Sequence, residues 1–543
     1  MSNQNIQRRN FLKFFGSTSA LFLLVGVGSG VLTSCSNPLE NTDFKTLGFK
    51  PLSPKTDDDL ILADGLEYRV LLSWEDHLNA EEKFGFNNDF TSFYPLENKK
   101  DEGILWVNHE YVHPMFVSGY TSGEKRTKKQ VDLERLEVGG SLVHIKKGEN
   151  AWEVVEGSKY NRRLNATTKI PFVALRPIDG SSFAVGTLGN CAGGQTPWGT
   201  FLSAEENYQH YYGEFEHRSS DRLPGWLSWN EFYDQSPRHY GWVVEIAPLT
   251  GEAKKLTALG RFSHESATFA RAKDGRAVIY SGDDKANEFI YKFISDSKDS
   301  LETGELFVAN LKEGKWLSLD RSKSKVLQAE FDDQLDVLIH CRKAGRLLGA
   351  TPCDRPEDIE INPRNGDVIV ALTNNYDKKN WEDPKNNFYG SLLKISEKGE
   401  DSDSLVFTSE TLVMGGRETG LACPDNLCFD RRANLWVTTD ISGSVIEKKA
   451  YKGFGNNALH YIPMSGPYAG QVFQVASAPV DAELTGPTFA PDGETLFLSV
   501  QHPGEKSKSL KNLTSHWPNG GDKLPRSSVV QIQGKTMKRL LKV

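Results

Sequence analysis

The chain repeats a short apolar strand that runs into a polar, often acidic, tail. This unit occurs six times, at Ile104–Glu110, Thr200–Glu206, Ala277–Asp284, Asp367–Asn374, Asn434–Asp440 and Thr495–Gln501. A second strand-like segment follows each unit, at Gly140–Ile145, Gly241–Ile246, Asn287–Phe293, Gly390–Ile395, Ala458–Ile462 and Ser528–Ile532. Short apolar runs bounded by turn residues are typical of buried strands. The pattern therefore predicts six antiparallel hairpins.

A turn and a further strand-like stretch precede each of the last four apolar strands. The turns are Lys273–Gly275, Arg364–Gly366, Arg431–Ala433 and Pro491–Gly493. Units of three to four strands, repeated six times, predict an all-β fold, a six-bladed β-propeller. Residues 207–238 and 374–389 are rich in Tyr, Trp, Asn and charged residues, and we expect additional loops with short helices over one face. A pair of β-sandwiches is the alternative, but the likeness of the units to one another favours the propeller.

Carboxylates flank the predicted hairpins at one end. In an antiparallel hairpin, the start of the first strand and the end of the second lie side by side. Here the first strand of a hairpin is the stretch ahead of the turn, and the second strand is the apolar one. One set of carboxylates precedes the first strands: Glu265, Glu357, Asp425 and Glu483. The other set ends the apolar second strands: Glu110, Glu206, Asp283, Asp284 and Asp440. Near a propeller axis these like charges would repel strongly unless cations neutralised them. Their oxygens suit hard cations such as Ca²⁺. The alternative is that each is a solvated loop carboxylate.

Cys191 and Arg355 add different chemistry to this end. Cys191 lies in the glycine-dense segment Gly186–Gly199. A thiolate ligand favours a transition metal such as iron or zinc over Ca²⁺, although a lone cysteine can also be a small buried residue. Arg355 offers a planar fork suited to bidentate phosphate binding, with simple charge balance beside Glu357 as the alternative. His264 fits a packing role better than a catalytic one.

The first 37 residues have the features of an export signal. Arg8 and Arg9 fit the twin-arginine pattern, and the apolar stretch Ala20–Leu32 is short for a membrane span and suits a signal peptide. The signal ends in a lipobox-like sequence at Cys35, which predicts a lipid anchor and a periplasmic or cell-surface location. Cleavage nearby, with Cys35 incidental, is the alternative. We expect a linker over 38–59, one propeller domain over 60–535 and a C-terminal tail over 536–543.

Composition narrows the class of partner. The chain has 543 residues and a net charge of −8. This charge argues against a nucleic-acid partner, because phosphate backbones are held by clustered Lys and Arg. Five cysteines follow Cys35, and an odd number leaves at least one unpaired in an exported protein. We expect a monomer that acts on small molecules.

Specific motifs across residues 60–535 resemble the PhoX-type alkaline phosphatases, which are exported by the twin-arginine route. These motifs are Phe84–Phe90, Trp106–Tyr111, Asn161–Arg163, Gly186–Asn207, Gly260–Glu265, Tyr280–Asp284, Gly349–Glu360, Ala371–Asn375, Pro424–Asp430, Leu484–Pro487 and Val500–Glu505. The resemblance implies a phosphatase that hydrolyses small phosphate monoesters, with a pair of iron ions and several calcium ions at the mouth of the channel.

The resemblance also implies roles for individual residues. Arg355 resembles a residue that contacts phosphate in this family. Arg355 and Glu357 are expected to be catalytic. The expected metal ligands are Cys191, Glu206, Glu265, Asp283, Asp284, Glu357, Asp425 and Glu483. Of these, Asp425 and Glu483 come from the carboxylate pattern and not from the resemblance. Two other functions compete: a calcium-dependent propeller lactonase or phosphotriesterase, and a non-enzymatic lipid-anchored propeller with structural calcium. Cys191 and the density of acids argue against the first.

Overall fold

The computed structural model of the chain describes residues 47–542. The predicted export signal and Cys35 lie outside this range. Within it, no helix combines the length and the apolar character that a membrane span requires. The described strands form six blades of four to six strands and one two-stranded hairpin. The predicted six-bladed β-propeller is therefore confirmed.

The strands are numbered in chain order. The first ten are β1 Ile61–Leu62, β2 Glu67–Ser73, β3 Asn88–Pro95, β4 Glu102–His109, β5 Gly139–Lys147, β6 Trp152–Val154, β7 Arg162–Leu164, β8 Lys169–Val173, β9 Phe183–Val185 and β10 Asn190–Gln195. The next ten are β11 Phe201–Glu205, β12 Glu214–Phe215, β13 Arg222–Leu223, β14 Val243–Ile246, β15 Ala253–Leu256, β16 His264–Arg271, β17 Ala277–Asp283, β18 Ile290–Ser295, β19 Gly304–Asn310 and β20 Lys315–Ser318. The others are β21 Pro356–Ile361, β22 Val368–Leu372, β23 Ser391–Glu397, β24 Phe407–Met414, β25 Pro424–Phe429, β26 Leu435–Thr439, β27 Ala458–Ile462, β28 Phe473–Ser477, β29 Glu483–Phe489, β30 Leu496–Gln501 and β31 Ser528–Gln533.

The helices are short and lie mostly in the connections between strands. They are α1 Pro114–Val117, α2 Lys128–Glu137, α3 Gln209–Tyr212, α4 Lys325–Glu330, α5 Gln334–Ile339, α6 Cys341–Leu348 and α7 Lys535–Leu541. Helices α4, α5 and α6 follow one another between blades 3 and 4. The apolar pattern of the sequence did not predict this helical insertion.

Each blade is an antiparallel meander that starts at the channel, with added strands at some outer edges. From the channel outwards, the blades are β3-β4-β5-β6, β10-β11-β14-β15-β8-β9, β16-β17-β18-β19-β20, β21-β22-β23-β24, β25-β26-β27-β28-β1 and β29-β30-β31-β2. In the first blade, β7 also pairs with β5. The six innermost strands contact their neighbours all the way around the channel. Strands β1 and β2 complete the outer edges of the last two blades, so the N-terminal end of the described chain closes the ring.

The second strands are apolar on both faces because each lies between two inter-blade cores. In β4, Leu105 and Val107 pack against blade 6. Ile104 and Trp106 point the other way and pack against Phe201 and Val244 of blade 2. Successive strand residues face opposite sides of a sheet, so burial on both sides requires an unbroken apolar run. This is the physical origin of the repeated unit in the sequence.

Both predicted flanking segments pack on the propeller more closely than expected. Within the predicted linker, Phe49 is buried and the backbone N–H of Leu52 donates to Gln474 O at 2.9 Å. The predicted tail is largely helix α7, which buries Met537 and Leu540 against the domain. The buried residues of the tail lie on one side of the helix, and both segments pack against the propeller.

Candidate active site

Each innermost strand places a polar residue, its first or second, at the same mouth of the channel. These residues are Asp89, Cys191, Glu265, Glu357, Asp425 and Glu483. In four blades a break in the strand register leaves two residues of the inner strand unpaired. The polar residue is the first of these two, as at Asp89 and Glu357. Glu265 directly precedes such a break. A β-bulge turns a side chain away from the regular pleat, so the repeated bulges aim these groups into one cavity.

The ends of the second strands supply a further set of polar groups. Glu110, Glu206, Asp284 and Asp440 each follow the last residue of a second strand, and Gln501 ends β30. All five line the same cavity, which has a volume of about 210 Å³. Apart from Asp283, the two predicted carboxylate sets therefore line one cavity.

Asp283 does not reach the cavity, in contrast to its predicted role as a metal ligand. It is the neighbour of Asp284 in sequence, and successive residues of a strand point to opposite faces. The Asp283 carboxylate is fully buried behind the cavity, where it accepts a hydrogen bond from Arg342 Nε at 2.8 Å. Asp283 forms a structural ion pair, and Asp284 alone faces the channel.

The cavity brings candidate metal ligands into three linked triads. In each triad, one donor atom per residue lies within 4.8 Å of the others. The triads are Asp89, Glu110 and Cys191; Cys191, Glu206 and Glu265; and Glu265, Glu357 and Asp425. Cys191 and Glu265 each belong to two triads, so the three positions form a continuous row across the mouth.

The electrostatics of this row indicate missing positive charge. Burial, reinforced by neighbouring carboxylates, raises the pKa of Glu206 and Glu265 well above the ordinary value. Burial also raises the pKa of Asp425, to about 7. Glu206 Oε1 and Glu265 Oε2 are buried without a hydrogen-bond partner among the described residues. Such groups are costly unless a cation or a proton neutralises them, which fits a site that holds metal ions.

The thiol of Cys191 lies inside this acidic environment. Its Sγ is 3.2 Å from Asp89 Oδ2. Burial and the nearby carboxylates raise the pKa of the Cys191 thiol well above the ordinary value. A thiolate here needs a metal ion to stabilise it. The five cysteines that the structure describes are all free of disulfides.

Arg355 is a partly buried cation among the carboxylates. Its Nε and Nη2 donate to the two oxygens of Asp284 at 2.7 and 2.8 Å, and Nη2 lies 2.9 Å from Glu357 Oε1. Burial would raise the pKa of Asp284, but the charge and hydrogen bonds of Arg355 outweigh it and lower that pKa. Arg355 has a left-handed backbone, with φ of 56°. A strained conformation at a cavity is typical of functional positions.

Several cavity residues were not predicted as ligands or contacts. Asp89 lies in the Phe84–Phe90 motif, and its place near the start of an innermost strand, as for the ligands predicted in other blades, is the signal that could have identified it. The rim also includes Tyr111 and Lys506, which both contact Glu505, at 2.9 and 2.5 Å. These rim groups come from irregular loops, whose position the strand pattern does not give.

His264 has the packing role that its sequence context suggested. Its Nδ1 and Nε2 form hydrogen bonds of 2.9 Å with Ser281 Oγ and Gly260 O. Burial lowers the pKa of His264 to about 3, so the ring is neutral. It supports the strand that carries Glu265.

Comparison with known proteins agrees with the six-bladed fold. The family model of the alkaline phosphatase PhoX matches residues 47–504. PhoX from Pseudomonas fluorescens, solved in complex with vanadate, a transition state analogue, has a TM-score of 0.81 and is 29% identical, with 90% of this chain and 98% of that chain covered. No curated protein matches the chain.

Two further solved structures show weaker likeness. A protein of unknown function from Dyadobacter fermentans has a TM-score of 0.39 at 10% identity, with 87% of this chain and 100% of that chain covered. A carbohydrate-active enzyme from Trichoderma reesei has a TM-score of 0.40 at 9% identity, with 90% and 100% covered. Neither is close enough to inform function. The family match and the similarity to PhoX over nearly the whole domain show that the chain is a phosphatase of the alkaline phosphatase PhoX family.

Proposed function

We propose that this protein is an exported enzyme that hydrolyses small phosphate monoesters at a multinuclear metal site and releases inorganic phosphate. The observation that carries the proposal is the row of three linked ligand triads, which reaches Arg355 through Glu357. A phosphate monoester is a dianion that resists attack by a nucleophile, so its hydrolysis requires concentrated positive charge. A row of cations beside a guanidinium supplies that charge.

The donor set fits two classes of metal. Cys191 belongs to two of the three triads, and a thiolate ligand suits iron. We therefore assign a pair of iron ions to these triads, with Glu206, Glu265 and Asp89 as oxygen ligands. Calcium ions suit the carboxylate-only positions, namely Glu357, Asp425, Asp284 and Glu483. The unpaired oxygens of Glu206 and Glu265 support this assignment.

When bound, these metals supply Lewis-acid polarisation of the phosphoryl oxygens and activation of a water nucleophile. The role of Arg355 is to bind the phosphoryl group and to stabilise the charge that develops on its equatorial oxygens. Asp284 and Glu357 fix the plane of the guanidinium through Nε and Nη2, so Nη1 remains for the substrate. The related P. fluorescens structure contains vanadate, and an oxyanion of that kind can accept a hydrogen bond from Nη1 of Arg355.

The N-terminal sequence supports an extracytoplasmic role. The twin-arginine pair Arg8 and Arg9 would direct export of the folded protein. A lipid on Cys35 would then anchor the protein to a membrane. We expect the anchored protein to be a monomer. Export in the folded state fits an enzyme that acquires its metals before translocation.

The test is an assay of natively exported protein together with elemental analysis of the same preparation. We expect turnover of phosphate monoesters, competitive inhibition by vanadate, and both iron and calcium in the purified protein. Turnover of lactones or phosphotriesters without monoesters would contradict the proposal and favour the calcium-dependent lactonase. Full monoesterase activity in protein that contains no iron would contradict the assigned cofactors.

A further inference from the structure

A second cluster of metal-binding side chains lies outside the cavity. His217, Asp336 and His340 place donor atoms within 4.8 Å of one another. His217 Nε2 is 3.7 Å from Asp336 Oδ2, and His340 Nε2 is 3.6 Å from Asp336 Oδ1. Around a tetrahedral Zn²⁺ with bonds of about 2.0–2.1 Å, neighbouring ligand atoms lie about 3.3–3.4 Å apart. The donor atoms would have to move closer together by up to about 1.5 Å for all three residues to bind one ion in this geometry.

Two parts of the chain that are distant in sequence form this cluster. Asp336 lies on α5, and His340 follows four residues later at its C-terminal end, so both project from the same side. His217 lies in the turn between β12 and β13. The Asp336 carboxylate is held in place by the backbone N–H of Asp332, which donates to Oδ2 at 3.0 Å. The cluster therefore links the β12–β13 hairpin to the helical insertion.

An unpaired nitrogen points into the cluster. His217 Nε2 is buried and has no hydrogen-bond partner among the described residues, and the His217 side chain is only 9% exposed. A buried imidazole nitrogen without a partner is costly, and a metal ion would satisfy it. Burial lowers the pKa of His217, and lowers that of His340 to about 3. Burial favours the neutral form of both rings, which is the form that binds metals.

The surroundings can orient His217 for this role. A histidine bound through Nε2 carries its proton on Nδ1 and usually donates it to a carboxylate. Glu330 Oε1 lies 3.4 Å from His217 Nδ1. Lys343 Nζ now contacts both groups, at 2.9 Å from Nδ1 and 2.5 Å from Glu330 Oε1. The Lys343 side chain is 41% exposed, so its Nζ can turn towards solvent and leave Glu330 to accept from Nδ1.

We propose that His217, Asp336 and His340 bind one divalent transition-metal ion, with Zn²⁺ the best match and water in the remaining position. Imidazole and carboxylate ligands together suit Zn²⁺, and the cluster lacks the crowd of carboxylates that suits Ca²⁺. The ion is structural. The ion would join the β12–β13 hairpin to helix α6. The hairpin follows the cavity residue Asn207 in the chain, and Arg342 of α6 holds Asp283 behind the cavity.

The test is zinc binding and thermal stability of the holoenzyme and its variants. Purified protein is equilibrated with a small excess of Zn²⁺, passed through a desalting column, and analysed for zinc, iron and calcium. We expect the wild-type protein to retain one more zinc ion per chain than His217→Ala or His340→Ala, with iron and calcium unchanged. Zinc should raise the Tm of the wild type by several degrees and should not raise that of either variant.

Two controls separate this site from the cavity. His516→Ala removes a histidine of similar partial burial elsewhere and should retain the zinc. Cys191→Ser alters the cavity and should also retain it. Phosphatase activity of the His217 and His340 variants shows that they are folded, since neither residue lines the cavity. Equal zinc content and equal Tm shifts in the wild type and both histidine variants would overturn the proposal.

Discussion

Arg355 and Asp284 form a two-pronged ion pair at the mouth of the channel, with Nε–Oδ1 and Nη2–Oδ2 distances of 2.7 and 2.8 Å. The pair places a fixed guanidinium beside Glu357 and Asp440, whose nearest oxygens lie 2.9 and 4.0 Å from Nη2. Such planar geometry positions a cation with little loss of freedom when an oxyanion binds. The Arg355 side chain is 27% exposed to the cavity, so it is accessible to substrate.

Loss of Arg355 should impair catalysis without loss of metal. Arg355→Ala removes the guanidinium but no proposed ligand, and we expect kcat/KM for phosphate monoesters to fall by about 10²-fold or more. The inhibition constant for free phosphate should rise. Steady-state kinetics and elemental analysis on one preparation measure both effects. Arg276→Ala, at the surface, is the matched control. Unchanged phosphate inhibition in Arg355→Ala would exclude the proposed contact.

Removal of one negative charge from the ligand row should weaken metal binding. Glu265→Gln keeps the shape of a residue shared by two triads and eliminates its charge. We expect lower metal content and lower activity, with partial rescue by excess calcium. Glu360→Gln, further along the inner strand β21, is the control because Glu360 does not line the cavity. A Glu265→Gln enzyme with full metal content would contradict the ligand assignment.

Much of the fold follows from the strand pattern. Each second strand is apolar on both faces because it separates two inter-blade cores, and six such runs identify six blades. The flanking carboxylates were also predictable, since hairpin geometry places strand starts and ends together. Helices α4 to α6 were not predicted, because they are short and their burial depends on neighbouring loops.

The finer features of the site depend on register. Asp283 and Asp284 are adjacent and chemically alike, and only the pleat of β17 decides which one faces the axis. Asp89 was missed because no acidic run marks it, and the bulge that aims it into the cavity is a backbone feature. Lys506 and Tyr111 come from loops that follow the strands, so their convergence on Glu505 depends on tertiary packing.

Acid should destabilise the propeller partly through His460. This histidine is buried in β27, and burial lowers its pKa to about 4. An unfolded histidine has a pKa of about 6.5, so the unfolded state takes up the proton first as the pH falls. The stabilising contribution of neutral His460 is therefore complete above about pH 6.5 and is lost towards pH 4.

The comparison that isolates this effect is the fall in Tm between pH 7 and pH 4.5. We expect a larger fall in the wild type than in His460→Gln, which has no titratable group at this position. His516→Gln serves as the control at a partly exposed histidine. Equal falls in the wild type and His460→Gln would show that His460 does not contribute to acid sensitivity.

The proposed membrane anchor depends on Cys35. Cys35→Ser removes the thiol that would carry the lipid, so labelling with a radioactive fatty acid should disappear and soluble enzyme should appear in the periplasm. The purified variant should keep its activity, since the propeller is unchanged. A wild-type protein without lipid, or with a mature N-terminus elsewhere, would show that the lipobox-like sequence is not used.

The proposed thiolate–metal site for phosphoryl transfer depends on Cys191. Cys191→Ser replaces a soft thiolate with a weak hydroxyl ligand, whereas Cys428→Ser changes a free cysteine of another innermost strand that lies outside the cavity. The most direct measurement is iron content and kcat/KM for a phosphate monoester on both variants and the wild type. We predict that Cys191→Ser loses iron and most of its activity while its fold is retained, and that Cys428→Ser matches the wild type. A fully active Cys191→Ser enzyme with unchanged metal content would show that no thiolate–metal site takes part in phosphoryl transfer.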